Sequence, residues 1–118
     1  MLNAFSTLVG IDIPIVQAAM GGATSPEFAA AVSNAGGLGM LALSWSSPDA
    51  IRAEIRATKA LTKRPFGVNF VLAQPQEERL AICLAEGVPI VSLLGPSGPT
   101  NRGGTPRRRE GATNRVKF

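Results

Sequence analysis

The sequence predicts an α/β fold in which parallel strands alternate with helices. Three observations carry this. Short apolar runs begin near residues 14, 38, 66 and 89, roughly every 25 residues. Between consecutive runs lies a segment with helix-opening residues and an apolar stripe at helical spacing. The alternation of these units with short helices implies parallel strands joined by right-handed crossovers. Two architectures satisfy that pattern: an open doubly wound sheet, or the opening half of a (β/α)8 barrel.

The first run, residues 14–19, follows a turn-like Gly10 and Asp12 and stops at Gly21 and Gly22, which marks a short buried strand. A helix follows. Thr24 or Ser25 serves as its N-cap, Pro26 fits its first turn, and Glu27 meets the positive end of the helix dipole. Phe28, Ala31, Val32 and Ala35 form its expected inner stripe, and Gly36 its C-terminal cap. The unit is then repeated. Residues 38–43 form a strand, Ser47, Pro48 and Asp49 open a helix, and Ile51, Ile55, Thr58 and Leu61 mark its inner side. The basic stripe Arg52, Arg56, Lys59 and Lys63 falls on the outer side, where it reads as a solvated face. A third strand spans residues 66–72. A third helix spans 76–86, with Leu80, Cys83 and Leu84 facing inward, and residues 88–94 begin a fourth strand.

At Gly95 the pattern stops. Up to that point six basic residues face seven acidic ones, a net charge of −1; from Gly95 onward six face Glu110 alone, a net charge of +5. Gly and Pro take eight positions of this tail and few aliphatic side chains remain. Such a segment cannot offset its ordering entropy, so residues 95–118 are expected to be disordered.

Composition excludes several classes. A chain of 118 residues holds one modest core. No apolar run reaches the length of a membrane span and no basic leader opens the chain, so a cytoplasmic setting is expected. One cysteine rules out an internal disulfide framework, and Cys83 reads as a small core residue. Without a histidine the chain lacks the commonest general base and the commonest zinc ligand, and no metal site is expected.

In both candidate architectures ligands gather at the carboxyl ends of the strands. After the first strand come Gln17, Ala18, Ala19, Met20, Gly21 and Gly22, where paired glycines let the backbone approach a ligand and aim free N–H groups at it, or simply end a strand. The glycines at 36, 37 and 39 follow a helix and precede a strand, the reverse of a dinucleotide fingerprint, so capping and close packing account for them. Asn69 lies within the apolar run of residues 66–71, where an amide must find partners or cost about 1–3 kcal/mol. Either a ligand or a structural hydrogen bond can supply them.

Three stretches together are specific. The runs Ile13-Pro14-Ile15-Val16-Gln17-Ala18-Ala19-Met20-Gly21-Gly22, Pro26-Glu27-Phe28-Ala29-Ala30-Ala31-Val32-Ser33-Asn34-Ala35-Gly36-Gly37-Leu38-Gly39 and Lys63-Arg64-Pro65-Phe66-Gly67-Val68-Asn69-Phe70 resemble, in order and spacing, the N-terminal part of the nitronate monooxygenases, formerly called 2-nitropropane dioxygenases. The resemblance covers about residues 8–94. It implies the N-terminal part of a (β/α)8 TIM barrel, about three and a half βα units over residues 1–94, that binds FMN at its strand ends and oxidises alkyl nitronates with O2. Carried over by position, Ala18, Ala19, Met20 and Gly21 line the flavin ring and Asn69 hydrogen-bonds the cofactor. Ala19 departs from the family, which usually has proline there. The family's catalytic histidine follows a Glu-Ala-Gly-Gly stretch absent from this chain, so no catalytic residue is assigned and the fragment is expected to be inactive. FMN-dependent enoyl-ACP reductases share the motifs and stand as the alternative.

The tail admits two readings. In the family the fourth strand runs into an Asp-Pro turn, a Val-His pair and an Ala-Gly-Ala-Lys-Val run. Read one nucleotide out of frame, the codon junctions of Gly95 with Pro96 and Pro96 with Ser97 permit Asp and Pro. Those of Gly104 with Thr105 and Thr105 with Pro106 permit Val and His. Those from Arg107 through Ala112 permit Ala, Gly, Ala, Lys and Val. The tail thus reads as a frameshifted fifth unit. The other reading is a genuine basic arm that binds nucleic acid through phosphates, against which stands its lack of stacking aromatics apart from Phe118. A partial barrel with open edges is further expected to self-associate.

Overall fold

The computed structural model of the chain describes residues 3–95 and the backbone of Val116 and Lys117. It opens on a short helix, α1 (Ala4–Val9), that the sequence pattern does not announce. Six residues are too few to show periodicity, and the helix stands on its caps. Asn3 Oδ1 accepts from Ser6 N and Ser6 Oγ accepts from Asn3 N, each at 2.8 Å, and Gly10 closes the helix at φ 75°.

Then come α2 (Pro26–Asn34), β1 (Gly39–Ala42), α3 (Pro48–Leu61), β2 (Phe66–Val71), α4 (Glu77–Ala85) and β3 (Ile90–Leu94). Ser25 and Ser47 cap α2 and α3 by accepting from Phe28 N and Ala50 N, each ahead of a first-turn proline. Strands β1, β2 and β3 are parallel neighbours in that order, and their register sets Ala42, Asn69 and Ser92 side by side. The expected strand at 14–19 is reduced to one parallel bridge, Val16 with Leu38. It has a neighbour on one side only, Pro14 has no N–H to give, and Ile15 and Val16 stay exposed.

Strand alternation divides the apolar side chains between two faces. Leu41, Leu43, Phe66, Val68, Phe70 and Val91 pack under the helices with Ala29, Ile51, Ile55, Ile82 and Cys83. On the inner face Leu38, Met40 and Ile90 meet Val9 and Ile11, so α1 and the turn after it fill the end of the sheet where the strands begin. The stripe expected on α2 is corrected. Ala29, Ala30 and Ser33 are buried, whereas Phe28 is 44% exposed. A Cβ on Gly39 would lie 1.9 Å from Ala29 O, so the backbone of α2 rests directly on β1 and only small side chains fit between them. Leu61 and Leu84, expected inward, are exposed as well, and Ile82 takes the inner place on α4.

Within the tail, Val116–Lys117 forms a two-residue strand, β4, antiparallel to β3, where the sequence predicts none. The edge of β3 offers unpaired N–H and C=O groups that such a strand satisfies. The expected disorder and the frameshift reading concern residues 95–118, of which 96–115 and 118 lie outside the described residues.

Candidate functional site

The site is built at the carboxyl ends of the strands. Because Phe66, Val68 and Phe70 face the helices, Gly67 and Asn69 face the inner side of the sheet. Gly67 leaves room for Met40: a Cβ there would meet Met40 Sδ at 2.6 Å and displace that side chain. One layer higher, Asn69 stands between Ala42 and Ser92. Its Oδ1 accepts from Ser92 Oγ at 3.0 Å, while its Nδ2 donates to no protein atom among the described residues. Asn69 is half-buried, so this donor is open on the inner face above the packed layer of Met40 and Ile90.

Ala18, Ala19, Met20 and Gly21 leave the sheet level with Met40, two strand spacings or about 10 Å from β2. Ala19 packs on the inner core, and Met20 is 45% exposed. Met20 N donates to Thr24 Oγ1 at 2.9 Å. Among the described residues, the N–H groups of Ala18, Ala19, Gly21 and Gly22 donate to no protein atom. Gly22 is needed for its φ of 76°. Gly21 is not needed for space within the chain, since a Cβ there would meet nothing within 4 Å. The loop is pinned from behind by Gln17, whose amide bonds Met40 N and Met40 O at 3.0 and 3.1 Å.

After the ends of β1 and β2 lies a polar knot that the sequence gives no pattern for. Ser44 Oγ accepts from Val71 N at 2.8 Å, and Ser44 O accepts from Gln74 Nε2 and Gln76 Nε2 at 2.9 and 3.1 Å. Arg79 donates to Ser46 O and to Gln76 Oε1. The knot fixes the turn that carries Trp45, the only tryptophan of the chain, at 67% exposure. Only the final pairing of side chain with backbone across thirty-odd residues reveals it.

Two other features lie elsewhere. Two residues of the basic stripe tie α3 to the end of α4: Arg56 bonds both carboxylate oxygens of Glu86 at 2.8 and 3.1 Å and Lys59 bonds the Glu86 carbonyl, while Arg52 faces Asp49 within α3 at 3.5 Å. A cleft of about 390 Å³ lined by Lys59, Lys63, Arg64 and Pro89 opens at the opposite pole, where the strands begin. It is far from the ends at which parallel α/β folds place their ligands. Cys83 is buried on the helix side, where desolvation raises its pKa to about 11. Among the described residues no group of His, Cys, Asp and Glu comes together to hold a metal ion.

The chain matches the nitronate monooxygenase family over residues 3–89. It is 46% identical over 80 residues to a nitronate monooxygenase of Paraburkholderia phytofirmans, covering 68% of this chain and 22% of that protein. The chain thus spans about a fifth of the length of that relative. Its fold superposes on FabK from Thermotoga maritima with a TM-score of 0.74 at 37% identity, over 79% of this chain and 30% of that one. It also superposes on nitroalkane oxidase from Streptomyces ansochromogenes with a TM-score of 0.69 at 33% identity, over 77% and 35% of the two chains. These are barrel enzymes, and the parallel strands with their crossover helices align with part of the barrel. In sequence and in fold, the chain belongs to the nitronate monooxygenase family, of which it carries the N-terminal barrel units.

Proposed function

We propose that this chain is the flavin-ring-holding part of an FMN-dependent oxidoreductase that oxidises alkyl nitronates with O2. The observation that supports this most is the convergence of unspent donors at one pole. N–H groups at Ala18, Ala19 and Gly21 and the Asn69 Nδ2, all without a partner among the described residues, lie at the strand ends of a chain from this family.

These residues fit the ring of a flavin better than its phosphate. The ring is flat and apolar on its faces and carries acceptors at its edge. Met20 offers apolar contact, and the four donors suit the acceptors. A phosphate needs a free cation or a helix N-terminus aimed at it. Arg79 at this pole is engaged through Nε and Nη1 with Ser46 O and Gln76 Oε1. When bound, FMN supplies a site for electrons leaving the nitronate and a means of passing them to O2. The chain's own share is to bind and orient the ring. It carries no histidine to move a proton, and by itself it does not complete the reaction.

Residues 1–94 then form the partial barrel, and residues 95–118 are a frameshifted translation of the next unit. The experiment joins both points. Sequencing the encoding DNA and restoring one base near codon 95 reopens a long frame containing a histidine. Its product consumes oxygen when an alkyl nitronate is added, whereas the 118-residue chain does not. A frame that stays closed refutes the frameshift. A restored product that reduces enoyl thioesters and ignores nitronates refutes the oxidase in favour of the reductase.

A further inference from the structure

The structure assigns a positioning role to Gln17: its side-chain amide stands in for a unit of the sheet's own backbone, which frees the 18–22 loop to face a ligand. The register shows this. In a parallel ladder the bridge of Val16 with Leu38 uses Leu38 N to Ile15 O and Gln17 N to Leu38 O, and both are present at 2.9 and 3.0 Å. The next step of that ladder would be Met40 N to the Gln17 carbonyl and Ala19 N to the Met40 carbonyl. Instead Met40 N donates to Gln17 Oε1 at 3.0 Å, and Gln17 Nε2 donates to Met40 O at 3.1 Å.

One amide thus replaces a carbonyl and an N–H. Met40 at the edge of β1 stays satisfied, at no cost in buried unpaired groups. Ala19 N–H is released, and the chain turns away from the sheet one residue after Gln17. The same Nε2 lies 2.9 Å from Ala18 O and 3.3 Å from Thr24 Oγ1. Thr24 Oγ1 in turn accepts from Met20 N. Gln17 and Thr24 therefore close the loop from both ends, and among the described residues the N–H groups of Ala18, Ala19, Gly21 and Gly22 have no partner. A strand that simply frayed would leave Met40 unpaired and its own N–H groups without fixed direction. Gln17 instead provides a rigid row of donors, and preorganisation lowers the entropy lost when a ligand binds them.

The role rests on the flavin reading above, and its test separates the two. Amide hydrogen exchange is followed by NMR in the 118-residue chain and in Gln17→Met, which keeps the length and packing of the side chain and loses both bonds. FMN is titrated into each by flavin fluorescence. In Gln17→Met, Met40 N–H exchanges about tenfold faster while Val68 and Phe70 keep their protection, as expected when one hydrogen bond is removed without unfolding. FMN binding weakens by about tenfold or more, because the donor row is no longer held. In the unaltered chain FMN slows exchange at Ala18, Ala19, Gly21 and Gly22. Gln17→Glu is the second variant: it keeps the acceptor for Met40 N and loses the donor to Met40 O, so Met40 stays protected while FMN still binds more weakly. Unchanged FMN affinity in Gln17→Met with Met40 deprotected overturns the positioning role and leaves Gln17 a structural pin. Unchanged protection of Met40 overturns the backbone substitution itself. If the unaltered chain takes up no FMN, the cofactor reading falls, and exchange at Met40 alone decides for or against the substitution.

Discussion

Asn69 and Cys83 are both polar-capable side chains in apolar surroundings, and their partners separate them. Asn69 spends its oxygen on Ser92 and, among the described residues, keeps its donor open at the strand ends, whereas Cys83 is buried within the apolar cluster on the helix side of the sheet. Burial pushes the Cys83 thiol up to about 11, so at pH 8 about one thiol in a thousand is ionised. Iodoacetamide at that pH should leave the folded chain unlabelled and modify Cys83 once urea unfolds it, as read by mass spectrometry. Rapid labelling of the folded chain would place the thiol outside the core. The sequence pattern located both residues, since each sits on a periodic element. It could not divide the two bonding options of Asn69, because the choice depends on Ser92, which lies on another strand.

Among the elements, α2 and α3 respond to different forces. Where α2 meets β1, contact is backbone on backbone. Gly39→Ala would place a Cβ at 1.9 Å from Ala29 O and should cost about 2–3 kcal/mol of stability in urea unfolding. A loss of a few tenths would mean that the helix can lift off the strand freely. Helix α3 is tied to the end of α4 through Glu86, whose carboxyl is held below the ordinary carboxylate range, first by the hydrogen bond from Arg56 and opposed in part by desolvation. A depressed carboxyl contributes stability above its unfolded pKa and loses it as pH falls through the folded one. Glu86→Gln should therefore lower the urea midpoint more at pH 7 than at pH 3. An equal loss at both would assign the effect to packing. The helices of the βα units were legible because serine caps, prolines and first-turn acids mark where they begin. The inner face of α2 was not, because hydrophobicity pointed to Phe28 while steric closeness required alanine and serine. The strand at 14–19 looked whole in sequence because nothing there shows that Gln17 takes over its ladder.

At the scale of the molecule, the parallel order of β1, β2 and β3 and the repeat of the units were readable from the spacing of apolar runs alone. The choice of a barrel over an open sheet was not, and it came from the family resemblance and the superposed structures. The edges are the consequence. Ile15 and Val16 are exposed beside β1, Leu94 is exposed at the end of β3, and among the described residues two of the tail, Val116 and Lys117, pair with β3. Such edges invite pairing between copies, so sedimentation should show the weight-average mass rising with concentration. A monomer with a single sharp melting transition at all concentrations would contradict the incomplete barrel.

The central claim is that the strand-end pole of this chain holds a flavin ring. NMR mapping of the 118-residue chain during titration with FMN tests it most directly. Saturable shifts are expected at the N–H groups of Ala18, Ala19 and Gly21 and at the Asn69 side-chain amide, with the resonances of Lys63 and Arg64 at the opposite pole unmoved. Shifts confined to that basic cleft, or no saturable shift at the strand ends, would contradict it.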